Sequence, residues 1–258
     1  MIKSLNKIHR QAKALFLRNH IYAYEGMQLR FVWHLVMPCL PIILYNILNY
    51  LGIFSTTGDV IPKSLLVSFG ITFYFVLSES IVGCSNCLEV NKSYINKTGL
   101  DILPCYVSVA YAVSMSFAIR YSALQIVLLL NIEHYTFEIL YGPLLALVIL
   151  VFGISIGSVI SIFVIFYKDI VNIVRMFAFY MLFASGVFGL ITDSTFVGEI
   201  VTKLPGYIFV TSSRSIVFGH EVVNEQNFYI MILVSLILCV LSYRINKNSK
   251  ALVLNHLK

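Results

Sequence analysis

Apolar positions in this chain fall in long unbroken runs rather than at the three-and-four spacing of a soluble helix. Six runs stand out, at 31–52, 64–84, 103–130, 141–165, 173–192 and 228–243. Crossing a hydrocarbon core about 30 Å thick takes about 20 apolar residues, so each of the first five runs predicts a transmembrane helix, and the sixth does so if it starts a little earlier. Two segments depart from this pattern. Residues 4–23 place Leu5, Ile8, Ala12, Leu15 and Tyr22 on one helical stripe, with Lys7, Arg10, Lys13 and Arg18 largely away from it. That spacing predicts a helix lying on a membrane surface, its cations against anionic headgroups. Between the fifth and sixth runs, residues 193–227 hold two short apolar pieces around Pro205-Gly206. Asp193 or Ser194 caps the first piece, Pro205-Gly206 ends it and Gly219 ends the second; neither is long enough to cross. They read as re-entrant or interfacial half-helices on the outer side. Such backbone is tolerated at membrane depth only where it is buried in protein or lines a wet cavity, which implies a pathway.

The expected architecture is an all-α membrane protein of one domain with six transmembrane helices. Residues 1–30 form an amphipathic interface helix and its continuation, 31–243 carry the six spans with the outer re-entrant half-helices, and 244–258 form a tail. Composition agrees: 59% of residues are hydrophobic, 12% are charged and the mean hydropathy is +0.87, against about 25% charged in soluble domains. Helical runs exclude a barrel-bearing outer membrane. Charge then supplies the orientation. With the N-terminus inside, the inner segments hold 14 cations and the outer loops only Lys63, Lys203 and Arg214, so the positive-inside rule places both termini in the cytoplasm. The same distribution argues against nucleic acid as a partner. No short apolar core followed by a small-residue cleavage site precedes the first run, so the N-terminus is expected to be retained.

No GxxxxGK[ST] phosphate loop, HExxH or GxSxG motif is present, and the six histidines are scattered. No catalytic residue is assigned. Cys84 and Cys87 have the spacing of half a zinc site without a second half, and all five cysteines read as small hydrophobes, with no metal expected. Glu79 and Arg120 lie within spans, where ionisable groups are costly. Their expected depths differ by roughly 10 Å at 1.5 Å per residue, which favours separate roles facing a conduit over a direct pair. Gly153 and Gly157 form a GxxxG motif suited to close helix contact, within the chain or with a second copy. Pro38 and Pro41 are expected to kink the first span. The loop 85–101 and the turn Tyr167-Lys168-Asp169 are polar enough to dock a soluble partner. The sequons at Asn91 and Asn96 fall on this inner side, where glycosylation is not expected.

Several of these segments together resemble the membrane subunit of polysaccharide-exporting ATP-binding-cassette transporters, the capsule type most closely. The resemblance rests on Leu17-Arg18 in the basic helix; LRFVWHLVMP with Leu29, Trp33 and Pro38; FYKDIVNIVR with Asp169 and Arg175; Pro205 nine residues before Arg214; and Tyr243-Arg244. It covers nearly the whole chain. Arg30 stands where a glycine is usual, Leu204 replaces a common Asn, and the basic-proline stretch before the third span is missing. The resemblance implies a transport subunit rather than an enzyme, in a bacterial cytoplasmic membrane. It implies a homodimer bound to two copies of a separate ATPase that carries the ATP and Mg, exporting a lipid-linked or anionic polysaccharide. Arg18, Glu89, Lys92, Asp169 and Arg175 become candidates for coupling to that ATPase. Trp33, Glu79, Arg120, Pro205 and Arg214 become candidates for the conduit and gate, with Arg120 and Arg214 facing anionic sugars or phosphates. Competing readings are an exporter half for a drug or lipid, or a partnerless secondary transporter or intramembrane enzyme.

Overall fold

The computed structural model describes residues 2–21, 63–130, 137–189, 196–219 and 225–257, with nine further positions between Val36 and Leu51. Among these residues all regular structure is helical. The elements are α1 (Ile2–Phe16, continued by a π-helical turn Leu17–Ile21), α2 (Lys63–Val90), α3 (Lys92–Thr98), α4 (Leu103–Leu130) and α5 (Gly142–Phe166, entered through a 3₁₀ turn Phe137–Tyr141). They continue with α6 (Ile170–Ala184), α7 (Phe196–Thr202), α8 (Pro205–Val217) and α9 (Glu225–Leu257). Among the described residues four stretches are long and apolar enough to cross a membrane: Lys63–Val90, Leu103–Leu129, Phe137–Phe166 and Glu225–Ala251. The chain is therefore compatible with a multi-pass membrane protein.

The helix α2 is the axis of the bundle. Sixteen of its 28 residues are buried, and α4, α5, α6 and α8 all pack against it. Small residues set how closely they approach. A Cβ on Gly153 would lie 1.8 Å from Ser80 Oγ, and one on Gly157 would lie 2.6 Å from the Ile81 carbonyl and 2.7 Å from Cys84 Cβ. The GxxxG motif of α5 thus seats α2 of its own chain, which decides between the two partners left open by the spacing. Pro143 and Pro205 enter α5 and α8 in the first helical turn, where no N–H is lost.

The fifth run is not helical over its whole length. The helix α6 has 15 residues and stops at Ala184, where the expected span ran to 192. Gly186 follows with φ +69°, and a Cβ there would meet the Tyr207 ring at 2.7 Å, so the chain turns where α8 crosses. In the other direction, α9 starts at Glu225 and runs 33 residues to Leu257, well past the expected end at 243. Most of the first run, including Trp33, Pro38 and Pro41, lies outside the described residues, as do Asp193 and Ser194. Within that run Cys39 is buried, whereas Leu40, Ile43, Leu44, Ile47, Tyr50 and Leu51 are exposed.

The amphipathic helix α1 packs part of its apolar stripe against protein. Ala12 and Leu15 are 0% and 1% exposed, packed on α4, while Lys7, Arg10 and Lys13 face outward. His9 Nδ1 pairs with the Tyr111 hydroxyl at 2.6 Å, and the Phe16 ring meets Tyr111 edge-on. The end of the bundle that holds α1, α3 and the start of α4 also carries Lys168, Arg175, Lys247 and Lys250, which makes it the basic end.

Candidate functional site

Glu79 and Arg120 form a direct ion pair, contrary to the separation expected from their depths. The Arg120 Nη2 donates to both carboxylate oxygens of Glu79 at 2.6 Å, its Nε donates to the Ser116 carbonyl at 3.2 Å, and Nη2 also bonds Ser116 Oγ. The guanidinium lies 5.0 Å from the centroid of the Phe75 ring. The expected offset failed because α2 continues to Val90, so Glu79 sits eleven residues from the helix end rather than five, and arginine has a long reach. With its charge taken up by Glu79, Arg120 does not present a free cation to an anionic ligand.

The pair borders a cavity of about 730 Å³ between α2, α4 and α6. Glu79 and Ser116 line its deep part with Tyr74 and Phe75; Asn86, Asn91, His20 and Arg175 line it toward the basic end. The side chain of Glu79 is 37% exposed, into this space, whereas that of Arg120 is 1% exposed. A carboxylate clamped by a buried guanidinium accepts hydrogen bonds from hydroxyl or amide donors while adding little net charge. Together with aromatic walls, that chemistry suits uncharged polar groups better than ions.

At the basic end two of the coupling candidates, Arg18 and Glu89, take part in links between elements. The Arg18 guanidinium lies 4.5 Å from the Tyr94 ring centroid and bonds Asn91 Oδ1, which also accepts from Asn19 Nδ2 at 3.1 Å. Asn91 Nδ2 donates in turn to the Cys87 carbonyl at 2.7 Å, so α1 is tied to the junction of α2 and α3. Glu89 pairs with Lys168 at 2.6 Å, joining that junction to the α5–α6 turn. Asp169 sits exposed at the start of α6, and Arg175 reaches Asn172 at 3.5 Å beside the cavity mouth. Lys92 is half-buried at the head of α3, whose Ile95 is buried while Ser93, Asn96, Lys97 and Thr98 are exposed. The helix ends on Gly99, at φ +62°, where a Cβ would have nothing within 4 Å.

At the opposite end, α8 threads inward. A Cβ on Gly206 would lie 3.8 Å from Leu77 and the Phe218 ring meets Phe69 edge-on at 5.1 Å, so Pro205 starts α8 near the middle of α2. Arg214 is 9% exposed and donates to the carbonyls of Gly186 and Val187 at 3.3 and 3.5 Å, tying α8 to the turn after α6. Among the described residues the buried hydroxyls of Ser212 and Ser213 and Arg120 Nη1 have no partner.

A second polar centre was not singled out from the sequence. The Tyr106 hydroxyl is 2.7 Å from Ser161 Oγ and donates to Asn246 Oδ1 at 2.8 Å, while Asn246 Nδ2 donates to Ser158 Oγ at 3.2 Å. Lys250 pairs with Asp101 at 2.9 Å just beyond it. The serine stripe 155, 158 and 161 and Asn246 inside an apolar helix are the signal that marks it. Compared with known proteins, the sequence matches no protein-family model and has no significant match among curated proteins.

Proposed function

We propose that the chain is the membrane subunit of an ATP-driven exporter of the polysaccharide-exporting ATP-binding-cassette type. It works as a homodimer with two copies of a separate ATPase, in a bacterial cytoplasmic membrane, and moves a lipid-linked or anionic polysaccharide, whose sugar hydroxyls rather than any acidic group would meet the cavity beside Glu79. The observation that carries this reading is the basic-end assembly. A surface helix, the loop helix α3 and the α5–α6 turn are linked through Arg18, Asn91, Glu89 and Lys168, and α3 turns a polar face outward. Such a unit transmits a push on α3 into α2, the axis of the bundle, and through it to the cavity bordered by Glu79. No catalytic group is assigned to this chain, so ATP and Mg belong to the partner.

A fifth crossing by α6 is compatible with its placement. Lys168 pairs with Glu89 and Val187 lies 3.4 Å from the position of a Cβ on Gly70. The chain from 168 to 187 therefore runs along α2 for about 28 Å at 1.5 Å per residue, close to a hydrocarbon core. On this reading α6 and its turn form the fifth crossing, the run 31–52 forms the first, and both termini are cytoplasmic. Helices α7 and α8 form the re-entrant pair, with Pro205 at its deepest point and Arg214 holding its return limb.

A photo-crosslinking residue at Asn96, on the outward face of α3, tests the coupling role in native membranes. The expected product contains an ATP-binding-cassette ATPase, and the same probe at the exposed apolar Leu144 gives none. A product lacking an ATPase at Asn96, with the chain correctly inserted, contradicts the assignment and favours a partnerless transporter.

A further inference from the structure

A groove of about 450 Å³ opens between α4, α5 and α9 at the basic end. Its floor is the Tyr106, Ser158 and Asn246 network, whose hydrogen bonds are made within the protein. Its deep wall is apolar, from Val107 and Ala110 on α4 to Val151 and Ile154 on α5. Along α9 the groove extends from Cys239 to Lys250, a rise of about 16 Å at 1.5 Å per residue, about half the thickness of a hydrocarbon core. Cys239, Tyr243 and Lys247 are exposed on that face. They continue the apolar exposed surface of Leu236 and Val240, so the groove opens sideways, away from the bundle.

Charge is confined to the mouth. Asp101, Lys247 and Lys250 stand there, and Asp101 pairs with Lys250. Among the described residues no carboxylate lies in ion-pair reach of Lys247. The mouth thus carries one surplus positive charge above an apolar slot of half-membrane depth.

We infer that this groove binds one anionic phospholipid from the leaflet at the basic end, its phosphodiester on Lys247 and Lys250 and one acyl chain along Val107, Val151 and Ile154. A single phosphodiester charge matches the surplus. Basic pockets between membrane helices are suited to anionic headgroups, and each lysine near the surface contributes about 1 kcal/mol. Free phosphate satisfies the lysines but leaves the apolar wall uncovered. The inference rests on the membrane placement of α4, α5 and α9 and not on the exporter reading, so either can fail alone.

The test is native mass spectrometry of the purified chain in mild detergent. The chain is incubated with equal amounts of phosphatidylglycerol and phosphatidylcholine of identical acyl chains, and separately with inorganic phosphate. The chain is expected to retain phosphatidylglycerol preferentially. Lys247→Gln lowers the ratio of the two lipids about fivefold, Asp101→Asn raises it by freeing Lys250, and Lys97→Gln, on α3, leaves it unchanged. Two further readings bear on the same point: phosphate alone is expected to give no thermal stabilisation, and phosphatidylglycerol to give a clear shift. Equal retention of the two lipids, a ratio unmoved by both Lys247→Gln and Asp101→Asn, or stabilisation by inorganic phosphate equal to that by lipid would overturn the inference.

Discussion

Replacing Glu79 with leucine leaves the Arg120 guanidinium, 1% exposed, without its counter-ion. Breaking a buried pair from one side costs about 3–5 kcal/mol. Glu79 is itself 37% exposed into the cavity, which lowers the pair's contribution, so about 3 kcal/mol is expected. Removing the other partner is cheaper. In Arg120→Met the carboxylate remains against a cavity of about 730 Å³, large enough to hold water, and the cost falls to about 1 kcal/mol. The double variant removes both charges and keeps apolar volume, a change that is near neutral in buried pairs. The asymmetry and the rescue together are the signature. With about 2–4 °C per kcal/mol for a chain of this size class, Glu79→Leu lowers the melting midpoint in mild detergent by about 6–12 °C, Arg120→Met by a few degrees, and the double variant by less than Glu79→Leu alone. Equal losses for the two single variants that add in the double would refute the geometry of the pair.

Three further outcomes follow from the packing. Gly157→Ala places its methyl on the Ile81 carbonyl, which backbone cannot yield, and lowers stability by about 1–3 kcal/mol; Gly153→Ala meets chiefly Ser80 Oγ and is restored by Ser80→Gly, as melting midpoints of the single and double variants show. Arg18→Ala releases α1 from Asn91 and Tyr94, so a cysteine placed at Ala12, buried in the parent chain, gains maleimide reactivity; unchanged labelling argues that the Arg18 contacts do not hold the helix. Gly186→Ala suffers both the left-handed backbone and the Tyr207 ring and lowers stability by more than 1 kcal/mol, and Tyr207→Ala recovers only the steric part.

Helix content and the long spans were legible because a bilayer core imposes a length on an apolar run that no soluble packing imposes. Lys63–Val90, Leu103–Leu129 and Phe137–Phe166 lie where the runs place them, with ends shifted by up to six residues. The ends were harder to read because polar residues continue a helix once it leaves the core: Asn91 follows six further residues of α2, and α9 continues through Arg244 and Lys250. That error propagated, since the depth of Glu79 was measured from the wrong end and its pairing with Arg120 was missed. The stop of α6 at Ala184 has a local mark in Gly186, at φ +69°, but the crossing of Tyr207 there, more than twenty residues away, is reported by no local spacing. The GxxxG motif signals close approach but not which helix approaches. The Arg18 contacts to Asn91 and Tyr94 span more than seventy residues, so only the amphipathic stripe of α1, and not its seat on α4, could be read.

Purification of the chain from its native membrane in mild detergent, followed by mass identification of what accompanies it, tests the exporter reading most directly. Recovery of an ATP-binding-cassette ATPase near one-to-one is the expected result, with loss of that ATPase on replacement of the exposed residues Ser93, Asn96 and Lys97 of α3 by alanine. Recovery of the chain alone, stable and free of any ATPase across several detergents, contradicts it.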